Sequence, residues 1–241
     1  MDFQPAPAAL PAGQRIYAIG DVHGCADRLA LMHGAIAEDL AARPVLHAMV
    51  IHIGDYIDRG PDSAGVIERV IQPFPVVPDA APPVVVNLIG NHEEMLLMAL
   101  EAGDRRSAEL WLANRGGETL ASWGISWRGG PSAWREGIPQ RHLGFLRGLT
   151  LLHRVGGYLF VHAGLRPEVA LEQQQREDML WIREPFLSWM GKLPAVVVHG
   201  HTPDDAPQVR PHRIGIDTGA VLGGPLTCAV LEAESVAFLQ T

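Results

Sequence analysis

Five short polar segments of this 241-residue chain carry side chains that can do chemistry: Gly20-Asp21-Val22-His23-Gly24, Gly54-Asp55-Tyr56-Ile57-Asp58-Arg59-Gly60, Gly90-Asn91-His92-Glu93, Val161-His162-Ala163-Gly164 and His199-Gly200-His201-Thr202. Each offers imidazole, carboxylate or amide oxygen, donors that suit divalent first-row metal ions. Their glycines let the backbone turn sharply, so that side chains from separate strands converge. Taken singly, each segment has an ordinary reading. Asp21 and His23 would be a turn with a surface histidine, and Asp55 and Asp58 helix caps or surface ion-pair partners. Asn91 would be a turn residue and His162 a hydrogen-bonded core histidine. Their joint occurrence, each just past a strand-like run, favours one shared metal site.

The elements that must position them follow from periodicity. Arg15 to Gly20 reads as a buried strand, followed by a loop and an amphipathic helix over about 27–42, with Leu29, Met32, Ile36 and Leu40 on one face. The pattern recurs with a strand over 46–53 and a helix over 63–71, then a strand over 84–89 and a helix from about Glu93 to Ala102. Strand, polar loop and helix repeated three times predict an α/β architecture with a largely parallel sheet, whose strand carboxyl ends carry the chemistry. Residues 105–149, with Trp111, Trp123, Trp127 and Trp134, break the pattern and read as a helical insert or cap. Strands then return over 149–154, 158–161, 195–198, 213–216, 226–231 and 235–239, and short links among the late ones predict antiparallel pairing. The Ala- and Pro-rich residues 1–13 read as a loose leader, and 14–241 as a single domain.

Composition narrows the class. Apolar residues at 47% and charged residues at 19% are globular values, which exclude a disordered or fibrous chain. The 19 Lys and Arg against 27 Asp and Glu give −8, the wrong sign for gripping nucleic-acid backbone. A few local arginines or a bound metal can still reverse the field inside a cleft. No basic, apolar leader or membrane-length apolar run is present, and Cys25 and Cys228 form no disulfide framework, so a cytoplasmic location is expected.

In their order and spacing the five segments resemble the metal-dependent phosphoprotein phosphatases, a calcineurin-like metallophosphoesterase family. Its relatives include phage lambda-type serine/threonine phosphatases and symmetrically cleaving diadenosine tetraphosphate hydrolases. The resemblance spans about Arg15 to Leu231. It implies a four-layer αββα sandwich, two mixed sheets flanked by helices, with a dinuclear metal centre of manganese, iron or zinc, manganese being the expected pair. Carried over motif by motif, Asp21 and His23 bind the first ion, Asp55 bridges, and Asn91, His162 and His201 complete the second. His199 matches no ligand position and is read as a structural neighbour.

The resemblance also implies a mechanism. Two ions hold a bridging hydroxide that attacks phosphorus directly and neutralise the phosphoryl oxygens. His92 is the general acid for the leaving alkoxide, and Asp58 orients it. Arg59, Arg183 and Asn91 bind the phosphate, the arginines through planar forks that donate paired hydrogen bonds; the ordinary reading of Arg183 is a surface partner of Glu184 or Asp178. Asp217-Thr218-Gly219 resembles a further strand-end motif of the site, and Asp204 and Asp205 read as a solvated turn. Cys25 reads as an inert thiol, the insert tryptophans as a cap core, and His33, His47, His52, His142, His153 and His212 as histidines without a site role.

Three functions compete. The leading expectation is a phosphomonoesterase for phosphoserine or phosphothreonine in proteins, extending to phosphotyrosine. The alternative is a symmetrical dinucleoside tetraphosphate hydrolase, and a third is a catalytically silent phosphate-binding module. The expected partners are phosphoproteins or small phosphorylated substrates, without nucleic acid or membrane.

Overall fold

The computed structural model describes residues 1–75 and 81–241. In chain order its regular elements are β1 (Gln4–Pro5), β2 (Gln14–Ile19), α1 (Ala26–Ala42), β3 (His47–His52), α2 (Ser63–Ile71), β4 (Val84–Asn87) and α3 (Asn91–Ala102). The insert supplies α4 (Arg105–Ala113), α5 (Gly116–Ser122), α6 (Gly130–Gly137) and α7 (Gln140–Arg147). Then come β5 (Leu152–Val155), β6 (Tyr158–Val161), α8 (Arg176–Trp181), β7 (Val196–His199), β8 (Gln208–Arg210), β9 (Arg213–Gly215), β10 (Thr227–Glu232) and β11 (Ser235–Gln240).

The strands form two mixed sheets. One has the order β1-β11-β10-β2-β3-β4, with β2, β3 and β4 parallel and the remaining pairings antiparallel. The other has the order β5-β6-β7-β9-β8, with β6, β7 and β9 parallel. Alternation along each strand builds the layers. Ile16 and Ala18 of β2 meet Tyr158 and Phe160 of β6 in an apolar core between the sheets. Tyr17 and Ile19 point the other way, into a core with Leu29, Met32 and Ile36 of α1, Val66 and Ile67 of α2, and Leu96 of α3. Leu159 and Val161 of β6 face outward under Met179, Ile182 and Phe186, so a short helix and its following loop form the fourth layer. The αββα sandwich implied by the resemblance is therefore present.

Two expectations need correction. Antiparallel pairing of the late strands holds for β5–β6, β8–β9 and β10–β11, but β6–β7–β9 is parallel. The chain leaves β7, passes to the sheet edge as β8, and returns as β9 between them, so a short link does not make the flanking strands neighbours. Residues 1–13 are not loose. β1 pairs with β11, Ala6 and Leu10 donate backbone hydrogen bonds to Glu234 and Ala233, and the Leu10 side chain is buried in the inter-sheet core. In the insert, Trp111, Leu120, Trp134, Leu143 and Leu146 share one core with α1, α2 and α3. Trp127, by contrast, is half exposed.

His33 and His52, read as having no site role, form a buried chain with Asn87: 2.9 Å between their Nε2 atoms and 2.8 Å from His52 Nδ1 to Asn87 Oδ1. Both cysteines are free. Among the described residues, no helix is long and apolar enough to cross a membrane.

Candidate active site

The five polar segments sit immediately after β2, β3, β4, β6 and β7, at the carboxyl ends of strands that run parallel within each sheet. Holding them there strains the backbone. Among the described residues, eight non-glycine residues have left-handed φ, and five of them are His23 (43°), Asp55 (52°), Asp58 (69°), Arg59 (69°) and His201 (66°). Each such residue costs about 1–3 kcal/mol and persists only where its surroundings over-determine it. The surroundings here are dense. Val22 and His23 both donate backbone N–H groups to the Asp55 carbonyl, at 3.1 and 2.8 Å, tying the first loop to the second. Gly54 has φ of 99°, and a Cβ there would come within 2.5 Å of the Gly90 nitrogen, so the second and third loops touch through backbone alone.

Asp55 lies at the centre of the donor atoms. Its Oδ2 is 3.3 Å from His23 Nε2 and 4.0 Å from His92 Nε2, while its Oδ1 is 3.5 Å from His162 Nε2. Two donor clusters, each with its atoms within 4.8 Å of one another, therefore share this residue: His23–Asp55–His92 and Asp55–His162–His201. Asn91 Oδ1 is 2.9 Å from both His162 Nε2 and His201 Nδ1. Asp21, just past β2 in the same sheet as β3, reaches the loop after β7, where its two carboxylate oxygens accept from the His201 backbone N–H at 3.2 and 3.0 Å. Any side chain at residue 200 would collide with the Asp21 carboxylate, which accounts for Gly200.

These residues fit a pair of divalent cations. His23 Nδ1–H donates to the Ile57 carbonyl at 2.8 Å and His162 Nδ1–H to that of Ile53 at 3.0 Å, so each neutral ring turns its Nε2 lone pair into the pocket. His162 Nε2 and Asn91 Oδ1 then face each other as two acceptors, a conflict that a shared cation turns into coordination. Burial pushes the Asp21 carboxyl well above its ordinary value, reinforced by the charges of Asp217 and Asp55, and lifts Asp217 to about 6. For Asp55, burial acts upward but His162, His92, His23 and His201 hold its carboxyl below the ordinary range. Burial lowers His23 and His201 to about 3, leaving both as neutral donors. Carboxylates gathered out of water against neutral imidazoles leave negative charge that cations offset.

Within the first of these clusters, His92 Nδ1 donates to Asp58 Oδ2 at 2.7 Å, with both side chains fully buried. Burial opposes the charged ring, but Asp55 and Asp58 outweigh it and raise the His92 pKa. Among the described residues its Nε2 has no hydrogen-bond partner. Arg59 is exposed, and its guanidinium donates to His23 Nε2 at 2.9 Å. Arg183 is also exposed and follows Trp181, whose ring stands edge-on to His201 at 6.0 Å. The surface pairing considered for Arg183 is not formed, since Asp178 binds Arg166 and Glu184 accepts from Ser188. His199 belongs to neither cluster. It packs against Phe186 at 5.0 Å and donates from Nδ1 to the Gly200 carbonyl at 3.0 Å. Asp217 is buried beside the site and accepts from the Gly219 N–H at 2.9 Å.

Sequence reasoning missed Glu93. Its Oε1 accepts from the N–H groups of Tyr56 (2.9 Å) and Ile57 (3.2 Å), and its Oε2 from those of Asp55 and Gly90 (both 2.9 Å). Burial and the Asp55 charge push its carboxyl up, while four N–H donors with no acceptor opposite favour the anion. One buried side chain thus builds the loop that presents Asp55. The available signal was its place as the third residue of α3, where a glutamate reaches back to the cap amide. Glu93→Gln would turn an N–H₂ group toward two of these donors. We expect a loss of about 3 kcal/mol or more. For a chain of this size that is a fall in Tm of roughly 6–12 °C by differential scanning calorimetry. A Tm within about 2 °C of the parent would show that the loop does not depend on this carboxylate.

The two-sheet sandwich thus carries, at its strand ends, two histidine–aspartate clusters that could each hold a metal ion. The chain belongs to the calcineurin-like phosphoesterase family, whose model matches residues 14–234. It is 27% identical over 226 residues to serine/threonine-protein phosphatase 1 of Salmonella typhimurium, covering 91% of this chain and 93% of that protein. It is also 30% identical over 161 residues to the symmetrical bis(5'-nucleosyl)-tetraphosphatase of Nitrosomonas europaea, a match over 66% of this chain and only 48% of that enzyme. A crystal structure described as a candidate diadenosine tetraphosphatase superposes with a TM-score of 0.66 over 97% of this chain and 98% of that one. At 22% identity that likeness speaks for the fold alone.

Proposed function

We propose that this protein is a manganese-dependent phosphomonoesterase that dephosphorylates phosphoserine and phosphothreonine in proteins, with phosphotyrosine also accepted. The observation that carries the reading is Asp55, whose two carboxylate oxygens face different imidazole groups while His92 stands alongside with an unpartnered Nε2. Asp21, His23 and Asp55 would hold one ion, and Asp55, Asn91, His162 and His201 the other. When bound, the ions offset charge on the phosphoryl oxygens and lower the pKa of a water near phosphorus. Arg59, Arg183 and Asn91 bind the phosphoryl group, and His92 delivers the proton that the departing oxygen needs. The free cysteines are consistent with work in a reducing cytoplasm.

Supporting a protein substrate is the near end-to-end match with a serine/threonine-protein phosphatase. An open cavity of about 700 Å³, lined by Met95, Met98, Leu110, Leu180 and Trp181 together with the charged Glu94, Arg176 and Glu177, reaches Trp181 beside His201 and could take a short peptide segment. A second reading, symmetrical hydrolysis of dinucleoside tetraphosphates, is favoured by the 30% identity to an enzyme of that name. The deciding experiment compares kcat/KM of the manganese-loaded protein for phosphoserine peptides and for diadenosine tetraphosphate. A higher value for the peptides supports the first reading, and a large preference for the dinucleotide replaces it with the second.

A further inference from the structure

The helical insert reaches the reaction centre through a buried hydrogen-bond network around Asp58. Trp111 of α4 donates its indole N–H to Asp58 Oδ2 at 2.8 Å, on the same oxygen that receives His92. Thr119 of α5 donates its hydroxyl to Asp58 Oδ1 at 2.6 Å and accepts from the Asp58 backbone N–H at 2.8 Å. Ser63 Oγ closes the network, 3.0 Å from Thr119 Oγ1 and 3.2 Å from the Asp58 nitrogen. Asp58, Ser63, His92, Trp111 and Thr119 are all fully buried. The indole is itself clamped: Trp134 stands edge-on at 5.5 Å, and any side chain at residue 116 would collide with the ring.

The donor inventory gives this network a direction. An indole N–H only donates, so the oxygen it occupies must accept. Thr119 takes a hydrogen bond from the Asp58 amide, leaving its own proton for Oδ1. Both oxygens of Asp58 are therefore occupied by donors, and as an ionised carboxylate it takes the third bond from His92 Nδ1–H. With Oδ1 and Oδ2 each pinned by a different helix, the carboxylate plane is fixed, and the imidazole is fixed with it. His92 Nε2 is then the ring nitrogen left to face the substrate, 4.0 Å from Asp55 Oδ2.

We propose that Trp111 and Thr119 are positioning residues of the reaction, acting through Asp58 to hold His92 in one orientation with Nε2 turned to the leaving group. The inference rests on the assignment of His92 as the proton donor in the proposed function. It gives the insert a part in the chemistry beyond covering α2 and α3.

The test exploits leaving-group basicity. A serine alkoxide needs a proton from the acid, whereas p-nitrophenolate leaves readily without one, so a misplaced acid slows the first substrate more. In Trp111→Phe, which keeps the ring, and in Thr119→Val, which keeps the shape, kcat for a phosphoserine peptide should fall at least about tenfold more than kcat for p-nitrophenyl phosphate. Thr119→Ser, which retains the hydroxyl, should restore the parental ratio, and manganese content and KM should stay within about twofold. Equal losses on the two substrates, or no loss, overturn the proposal. Should Trp111→Phe fail to fold, the contrast between Thr119→Val and Thr119→Ser decides by itself. His92→Asn run in the same assay separates the two levels. If it is selective while the network variants are not, only the positioning role falls; if it too is unselective, the proton-donor assignment fails and the positioning role with it.

Discussion

With His92 replaced by asparagine, kcat for a phosphoserine peptide should drop by about 10²–10⁴ while bound manganese stays at the parental level. The division follows from which atoms face where. His92 spends Nδ1 on Asp58, and its Nε2 lies at the edge of the donor cluster, 4.0 Å from the nearest Asp55 oxygen. His162 Nε2 and His201 Nδ1, by comparison, lie 2.9 Å from Asn91 Oδ1. An asparagine has no group that can pass a proton at neutral pH, so the loss should fall on kcat. Metal analysis of the purified variant is the check. A variant stripped of manganese would move His92 from the acid role to the ligand set.

Asp55→Asn should have the opposite signature, with manganese occupancy and activity falling together. The neutral amide removes the one charge that both donor clusters share. It keeps an Oδ1 acceptor for the His92 backbone N–H, now 3.1 Å from the carboxylate, so the metal-free fold should survive. Replacing the shared carboxylate by a neutral amide should cost more than the 10–100-fold in affinity typical of outer-shell partners, so we expect apparent manganese affinity to weaken by more than about 100-fold. Titration calorimetry on metal-free parent and variant measures this directly. Parental affinity in the variant would show that Asp55 does not join the two ions.

Between these variants lies the difference between what a motif carries and what a fold adds. Asp21, His23, Asp55, Asn91, His162 and His201 were legible because each sits in a short segment whose glycines and strand end create its local geometry. Glu93 was not, although it stands in one of those segments, because its bonds reach residues 36 to 38 positions earlier. Trp111 read as packing and Thr119 carried no signal for the same reason, since their contacts with Asp58 span 53 and 61 residues. The loose reading of residues 1–13 failed on backbone pairing, which an Ala- and Pro-rich composition does not advertise. Gln4 and Pro5 find partners in the last strand of the chain.

From the sequence alone came the donor types, their order along the chain and the strand–loop–helix units that present them, because side-chain chemistry and hydrophobic period are local properties. Tertiary structure decided which oxygen of Asp55 faces which imidazole, which nitrogen of His92 is free, and that β9 rather than β8 lies beside β7. Those outcomes depend on how two sheets and the insert pack against one another, and packing couples residues that no short window of sequence contains.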